Sequence, residues 1–173
     1  MTGSPFLSLP AAVPAVGVDA GVPGHYGNPI VEQRRLERGE AIVDLSDRGV
    51  LTVTGPDRLS WLNSMASQAL DRLAPGVAAE ALFLDASGRI EHVVHVVDDG
   101  ESTWLVVEGS DAAPLAAFLD RMRFMLRVEV ADRTAEFGVL GAMSSSALDA
   151  AAPAHAPNGV ALDWADPWPA SGA

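Results

Sequence analysis

Of the four histidines in this 173-residue chain, His92 is the one whose setting invites chemistry. Alternation predicts a strand from Arg89 to Val97, on which His92 shares a face with Ile90, Val94 and Val96. An imidazole on such a face is either a core residue with its nitrogens satisfied or a group able to bind and move a proton. Glu91 falls on the opposite face with Val93, His95 and Val97. A regular strand therefore keeps Glu91 and His92 from gripping one small ligand together. A Glu91–His95 pair on that second face would be a surface pair, worth about 0.5 kcal/mol. No metal site is expected, because His92 and His95 lie on opposite faces and no Asp/Glu/His triplet has ligand spacing. Ser144-Ser145-Ser146 follows Gly141-Ala142-Met143, but the Gly-x-Ser-x-Gly elbow of a serine nucleophile is missing. The chain has neither cysteine nor lysine. Disulfides, thiolate chemistry and the lysine-bearing phosphate loop are thereby excluded within it. No catalytic residue is assigned.

The elements that would position His92 can be read from period and punctuation. Residues 1–24, rich in Pro, Ala, Gly and Val, read as a disordered leader. Ile30 to Arg38 reads as a short helix stopped by Gly39. Ala41 to Leu45 and Arg48 to Thr54 alternate as strands. Pro56 then suits a first helical position, Asp57 complements the helix dipole, and Leu59, Leu62 and Met65 recur at helical spacing. Ala79 to Asp85, Arg89 to Val97 and Ser102 to Glu108 form three strands joined by Ala86-Ser87-Gly88 and Asp98-Asp99-Gly100, the second a strong hairpin signal. Ser110 or Asp111 can cap a helix carrying Leu115, Phe118, Leu119 and Met122 on one face. Leu126 to Asp132 and Glu136 to Leu140 close the pattern, and order weakens after Ser144. The order β-α-β-β-β-α-β-β predicts an α+β fold, an antiparallel or mixed sheet with helices packed on one face.

Composition narrows the partners. Half the residues are apolar and one fifth charged, as in a globular domain. The net charge of −12 argues against direct nucleic-acid binding, which rests on clustered cations. Arg34-Arg35-Arg38 and Arg121-Arg123-Arg127 are local exceptions, and the first is interleaved with glutamates as on a solvated helix face. No apolar run reaches the roughly 20 residues of a membrane span, and no secretory leader is apparent. A cytoplasmic location is the expectation. Trp61 and Trp104 read as core. Trp164 and Trp168, in a polar, proline-rich tail, lack an obvious surface to pack on and suggest a continuing domain.

Three segments in order carry a family resemblance. They are Val43-Asp44-Leu45-Ser46-Asp47-Arg48-Gly49, then Val53-Thr54-Gly55-Pro56-Asp57-Arg58 with Trp61-Leu62-Asn63, then Asp85-Ala86-Ser87-Gly88-Arg89. With the entry segment His25-Tyr26-Gly27-Asn28-Pro29, they resemble the N-terminal portion of YgfZ-type folate-binding proteins and the glycine-cleavage T-protein (aminomethyltransferase) superfamily. Asp47 stands where that family usually has histidine. Gln68 falls where the T-protein branch commonly has asparagine. The hairpin of T-proteins leads to an Asp-Asp pair. Here His92 takes the first place, or Glu91 if the hairpin shifts by one residue.

The resemblance implies a domain over 25–163, like the T-protein N-terminal folate-binding domain, and a start of a following domain or tail over 164–173. It implies a tetrahydrofolate or derivative as cofactor, with Arg48, Gln68 and His92 as binding residues. The missing acid pair disfavours aminomethyl transfer. The expected role is that of a partial YgfZ-like protein supporting iron–sulfur cluster assembly or repair and cluster-dependent tRNA modification. Its partners would be folate and iron–sulfur assembly factors or client enzymes. The alternatives are an aminomethyltransferase of the glycine cleavage system and a non-catalytic interaction module.

Overall fold

The computed structural model describes residues 3–151 and 155–167. In chain order its strands and helices are β1 (Val13–Pro14), β2 (Pro23–His25), α1 (Pro29–Glu37), β3 (Ile42–Asp44), β4 (Gly49–Thr54) and α2 (Arg58–Met65). They continue with β5 (Ala78–Leu84), β6 (Ile90–Asp98), β7 (Ser102–Val107), α3 (Ala112–Met122), β8 (Glu129–Asp132), β9 (Leu140–Ala142) and α4 (Ser145–Ala151). The chain divides into two compact units. One takes residues 1–48 and 134–153, the other 49–133 and 154–173. The strands on either side of Arg48 pair within different units, β3 with β9 and β4 with β7 and β8.

In the first unit, Asn28 caps α1 by accepting the Val31 N–H (3.2 Å). Glu32 reaches back to accept the N–H groups of Tyr26 and Asn28, each at 2.9 Å. Gly39 ends the helix in the left-handed region at φ +70°, as its position predicts. Residues 3–24 are more ordered than their composition predicts. They form two 3₁₀ turns and the β1–β2 ladder, tied by the Ser4 N–H to Gly21 C=O bond (2.7 Å). Backbone hydrogen bonding supplies what an apolar period does not. The Asp44-to-Gly49 turn is held by the Asp44 carboxylate, which accepts the Ser46 N–H at 3.0 Å.

The second unit is a five-stranded sheet in the order β5-β6-β7-β4-β8, each neighbouring pair antiparallel. Leu51, Val53, Val94, Val96, Leu105 and Val107 meet Trp61 and Leu62 of α2 and Leu115 and Leu119 of α3 in one core. Val50, Thr52, Val97 and Trp104 are also buried and point the other way, so β4 is buried on both faces. Asp57 and Asp111 occupy the N-cap positions of α2 and α3, yet neither side chain caps its helix. Asp57 instead binds Arg127 through Nε (3.0 Å), Nη2 (2.8 Å) and the backbone N–H (2.9 Å), and this guanidinium holds the carboxyl below its usual range. Gly55, at φ +105°, admits that approach: a β-carbon there would fall on the Arg127 carbonyl.

At the Asp98-Asp99-Gly100 hairpin, the Asp98 carboxylate is sealed from solvent. It accepts from Arg58 Nε (2.9 Å) and Nη2 (2.8 Å), Thr103 Oγ1 (2.6 Å) and Gly100 N–H (2.8 Å). Asp99 accepts from the N–H groups of Glu101 and Ser102 and from Trp104 Nε1 (2.7 Å). These bonds pin α2 and the hairpin to the sheet.

The Trp164 side chain finds a surface within this unit. Its ring stacks on His95 at 3.9 Å between centroids and 14° between planes, and its Nε1 donates to Ala79 C=O on β5 (2.8 Å). The expectation that it lacks a packing surface is corrected, because alternation on β6 turns His95 toward it. Trp168 lies outside the described residues.

Candidate functional site: a groove between strand β6 and helix α3

The β5–β6 ladder runs in register from Ala78↔Val97 to Phe83↔His92, and the next pair is Leu84↔Ile90. Glu91 is therefore an extra residue without a partner, a β-bulge at the start of β6. Bulges break alternation and re-aim side chains. Glu91 and His92 accordingly line one groove, which corrects the expectation that the strand holds them apart. Pro114, Ala117, Phe118 and Arg121 form its other wall, their spacing being that of one helix face. The groove is shallow and open, with a volume of about 390 Å³.

His92 is buried at 6% exposure. Its Nδ1 lies 2.8 Å from Asp111 Oδ2, and its ring is 5.8 Å from that of Phe118. Phe118 in turn meets Phe83 edge to face at 5.9 Å. The Asp111 carboxylate thus forgoes its helix cap, worth about 1 kcal/mol, to hold the imidazole. Arg121 stands exposed at the rim with no carboxylate partner among the described residues. The groove offers an aromatic ring, a cation, a carboxylate and an imidazole. This set suits a planar ligand with N–H groups and an anionic end.

Of the expected binding residues, Gln68 and His92 lie on opposite edges of strand β5. Gln68 lies in the bend after Ala66, which bridges the outer edge of Phe83, whereas His92 pairs with the inner edge of that residue. Strand β5 separates them. Arg48 is half-buried between β3 and β4 and belongs to the first unit. Sequence reasoning missed Asp111 and Arg121 as groove residues. The signal for the first was an Asp at a helix start that long-range bonding could claim, and for the second, its place one turn beyond Phe118. The expected Glu91–His95 pair is replaced by Glu80, directly across the ladder, whose carboxylate is 3.9 Å from His95 Nε2. Among the described residues, no group of three His, Asp or Glu side chains could hold a metal ion. No helix there is long and apolar enough to cross a membrane.

No family model matches the chain. It is 28% identical over 107 residues to an iron-sulfur cluster assembly factor IBA57 homolog, mitochondrial, of Cryptococcus neoformans, covering 60% of this chain and 28% of that protein. It is 29% identical over 122 residues to an aminomethyltransferase of Pseudomonas syringae pv. tomato, covering 67% and 33%. The crystal structure of the glycine cleavage system aminomethyltransferase T from Bartonella henselae superposes with a TM-score of 0.64 at 16% identity, over 82% of this chain and 40% of that one. The chain is thus similar to part of the IBA57-type and aminomethyltransferase proteins, the two branches that its ordered motifs resemble. The α+β fold of the T-protein is present, as its element order predicts. The chain spans about a third of the length of the curated relatives it matches.

Proposed function

We propose that this YgfZ-like chain binds a tetrahydrofolate derivative in the Glu91–His92 groove and supports iron–sulfur cluster assembly or repair. The single observation that carries the reading is the groove itself. It follows the Asp85–Arg89 hairpin, the family's own landmark, and its residue set fits a folate. Phe118 offers a surface for the flat ring, Arg121 a cation for a glutamyl carboxylate, and His92 and Glu91 acceptors for ring N–H groups. Bound folate would supply a one-carbon carrier. The residues here bind and orient it. The kinship with an IBA57 homolog supports the iron–sulfur role over a purely metabolic one. Cluster-dependent tRNA modification, a cytoplasmic location and assembly-factor partners belong to the same proposal, as do Arg48 and Gln68 as further folate contacts. The test is calorimetric titration of tetrahydrofolate and its 5-formyl derivative into this chain and into a version extended past Ala173. Micromolar binding to at least one is expected. No binding by either protein refutes the reading.

One observation favours a second reading, aminomethyl transfer. The bulge brings a carboxylate, Glu91, into the groove beside His92, where a regular strand would have turned it away. A carboxylate there supplies the fixed negative charge that an imidazole lacks. Formation of methylene-tetrahydrofolate from the aminomethylated carrier, lost in Glu91→Gln, would establish this reading over the first.

A further inference from the structure

Nδ1 of His92 faces a carboxylate oxygen at 2.8 Å. An ionised carboxylate only accepts hydrogen bonds, so the proton of a neutral imidazole sits on Nδ1 and the lone pair on Nε2. The ring is buried and lines the groove, and among the described residues its hydrogen bond is to Asp111 alone. Nε2 is thus left to meet whatever enters. We propose that Asp111 is a positioning residue that fixes His92 as the Nδ1–H tautomer, so that Nε2 accepts a hydrogen bond from an N–H of a planar, anionic ligand whose negative end meets Arg121.

Three features carry the assignment together. An N-terminal helix residue gives up its cap for this contact. Phe118 flanks the imidazole, its ring centroid 5.8 Å away. Arg121, one helical turn beyond Phe118, is a cation without a carboxylate partner among the described residues, so an anion entering the groove need displace no ion pair there. Asp111→Asn keeps the shape but reverses the preference. The amide can donate to Nδ1, which moves the ring proton to Nε2 and converts the groove-facing acceptor into a donor.

The proposal rests on the folate reading for its ligand but not for its tautomer. The first measurement is therefore made without ligand, on the full chain, by two-bond ¹⁵N–¹H correlation of the His92 ring at a pH where it is neutral. Protonation at Nδ1 is expected in the native protein and at Nε2 in Asp111→Asn, with unchanged melting temperatures showing that both are folded. A native Nε2–H tautomer overturns the proposal. In the second measurement, tetrahydrofolate is titrated, and Asp111→Asn should bind about tenfold more weakly. Native-strength binding to Asp111→Asn, with no ¹⁵N change at Nε2, overturns the proposal while leaving the folate reading intact. The expected tautomer with no tetrahydrofolate binding sinks the folate reading and upholds the Asp111–His92 assignment.

Discussion

Removing the Asp98 carboxylate tests whether the hairpin network holds the sheet unit together. Asp98 is 1% exposed, and the Arg58 side chain that it receives is 12% exposed. Asp98→Ala leaves the guanidinium without its bidentate partner, and breaking a buried pair from one side costs about 3–5 kcal/mol. It also strands the fully buried Thr103 hydroxyl, worth about 1–3 kcal/mol alone. These terms belong to one network and do not add. Arg58 also retains a route to solvent, which places the expected loss near the lower bound, about 3 kcal/mol. For a chain of this size that corresponds to a fall of roughly 10 °C in Tm. Urea melts followed by tryptophan fluorescence would measure it, since Trp61 and Trp104 are both buried in this unit. The double variant Arg58→Met with Asp98→Leu, which removes both charges, should recover the part of the loss due to the unpaired guanidinium, the stranded Thr103 hydroxyl accounting for the remainder. A loss below about 1 kcal/mol for Asp98→Ala, or a double variant no better than the single one, would refute the argument.

Two further perturbations follow from the same unit. Burial pushes the Asp99 carboxyl up, but hydrogen bonds from Trp104, Ser102 and Glu101 and the Arg58 charge outweigh it, so its net pKa is lowered. The unfolded state then binds the proton first, and stability is complete above the unfolded value near pH 4 and declines as pH falls through the folded pKa. Asp99→Asn should flatten the stability profile below about pH 4, and superimposable profiles would contradict the assignment. Trp164→Ala removes a ring stack and a hydrogen bond, together about 2 kcal/mol of local stability. Residues 155–167 should become more susceptible to proteolysis and exchange amide hydrogens faster, with little change in global Tm. Unchanged cleavage in that segment would count against the contact.

Where order came from local rules, the sequence was readable. The alternation of Val50 to Thr54, the Asp-Gly turn at residue 99 and the stop at Gly39 each depend on neighbours within a few residues. Strand β6 and helix α3 were placed for the same reason. The bulge at Glu91 was hidden because a bulge is a mismatch between two strands, and nothing in Ile90-Glu91-His92 alone counts the residues of β5. Asp57 and Asp111 read as helix-start acids but serve partners far along the chain, Arg127 and His92. Local propensity proposes a cap, and packing brought in a stronger acceptor's claimant. The order of residues 3–24 is hidden from the sequence because backbone-to-backbone bonds leave no trace in side-chain period. The division at Arg48 was likewise invisible, since strand order within a sheet is set by pairing and not by adjacency.

The single unpaired residue in β6 also bears on how such a groove can arise and decay. Adding or losing one codon at that point changes which side chains look outward together, while the paired residues from Ala78↔Val97 to Phe83↔His92 keep their register. The core beneath would be indifferent to the change. Chemistry at this place in the fold can therefore be exchanged by length variation as readily as by substitution, so that two relatives can share every core position yet present different reactive pairs.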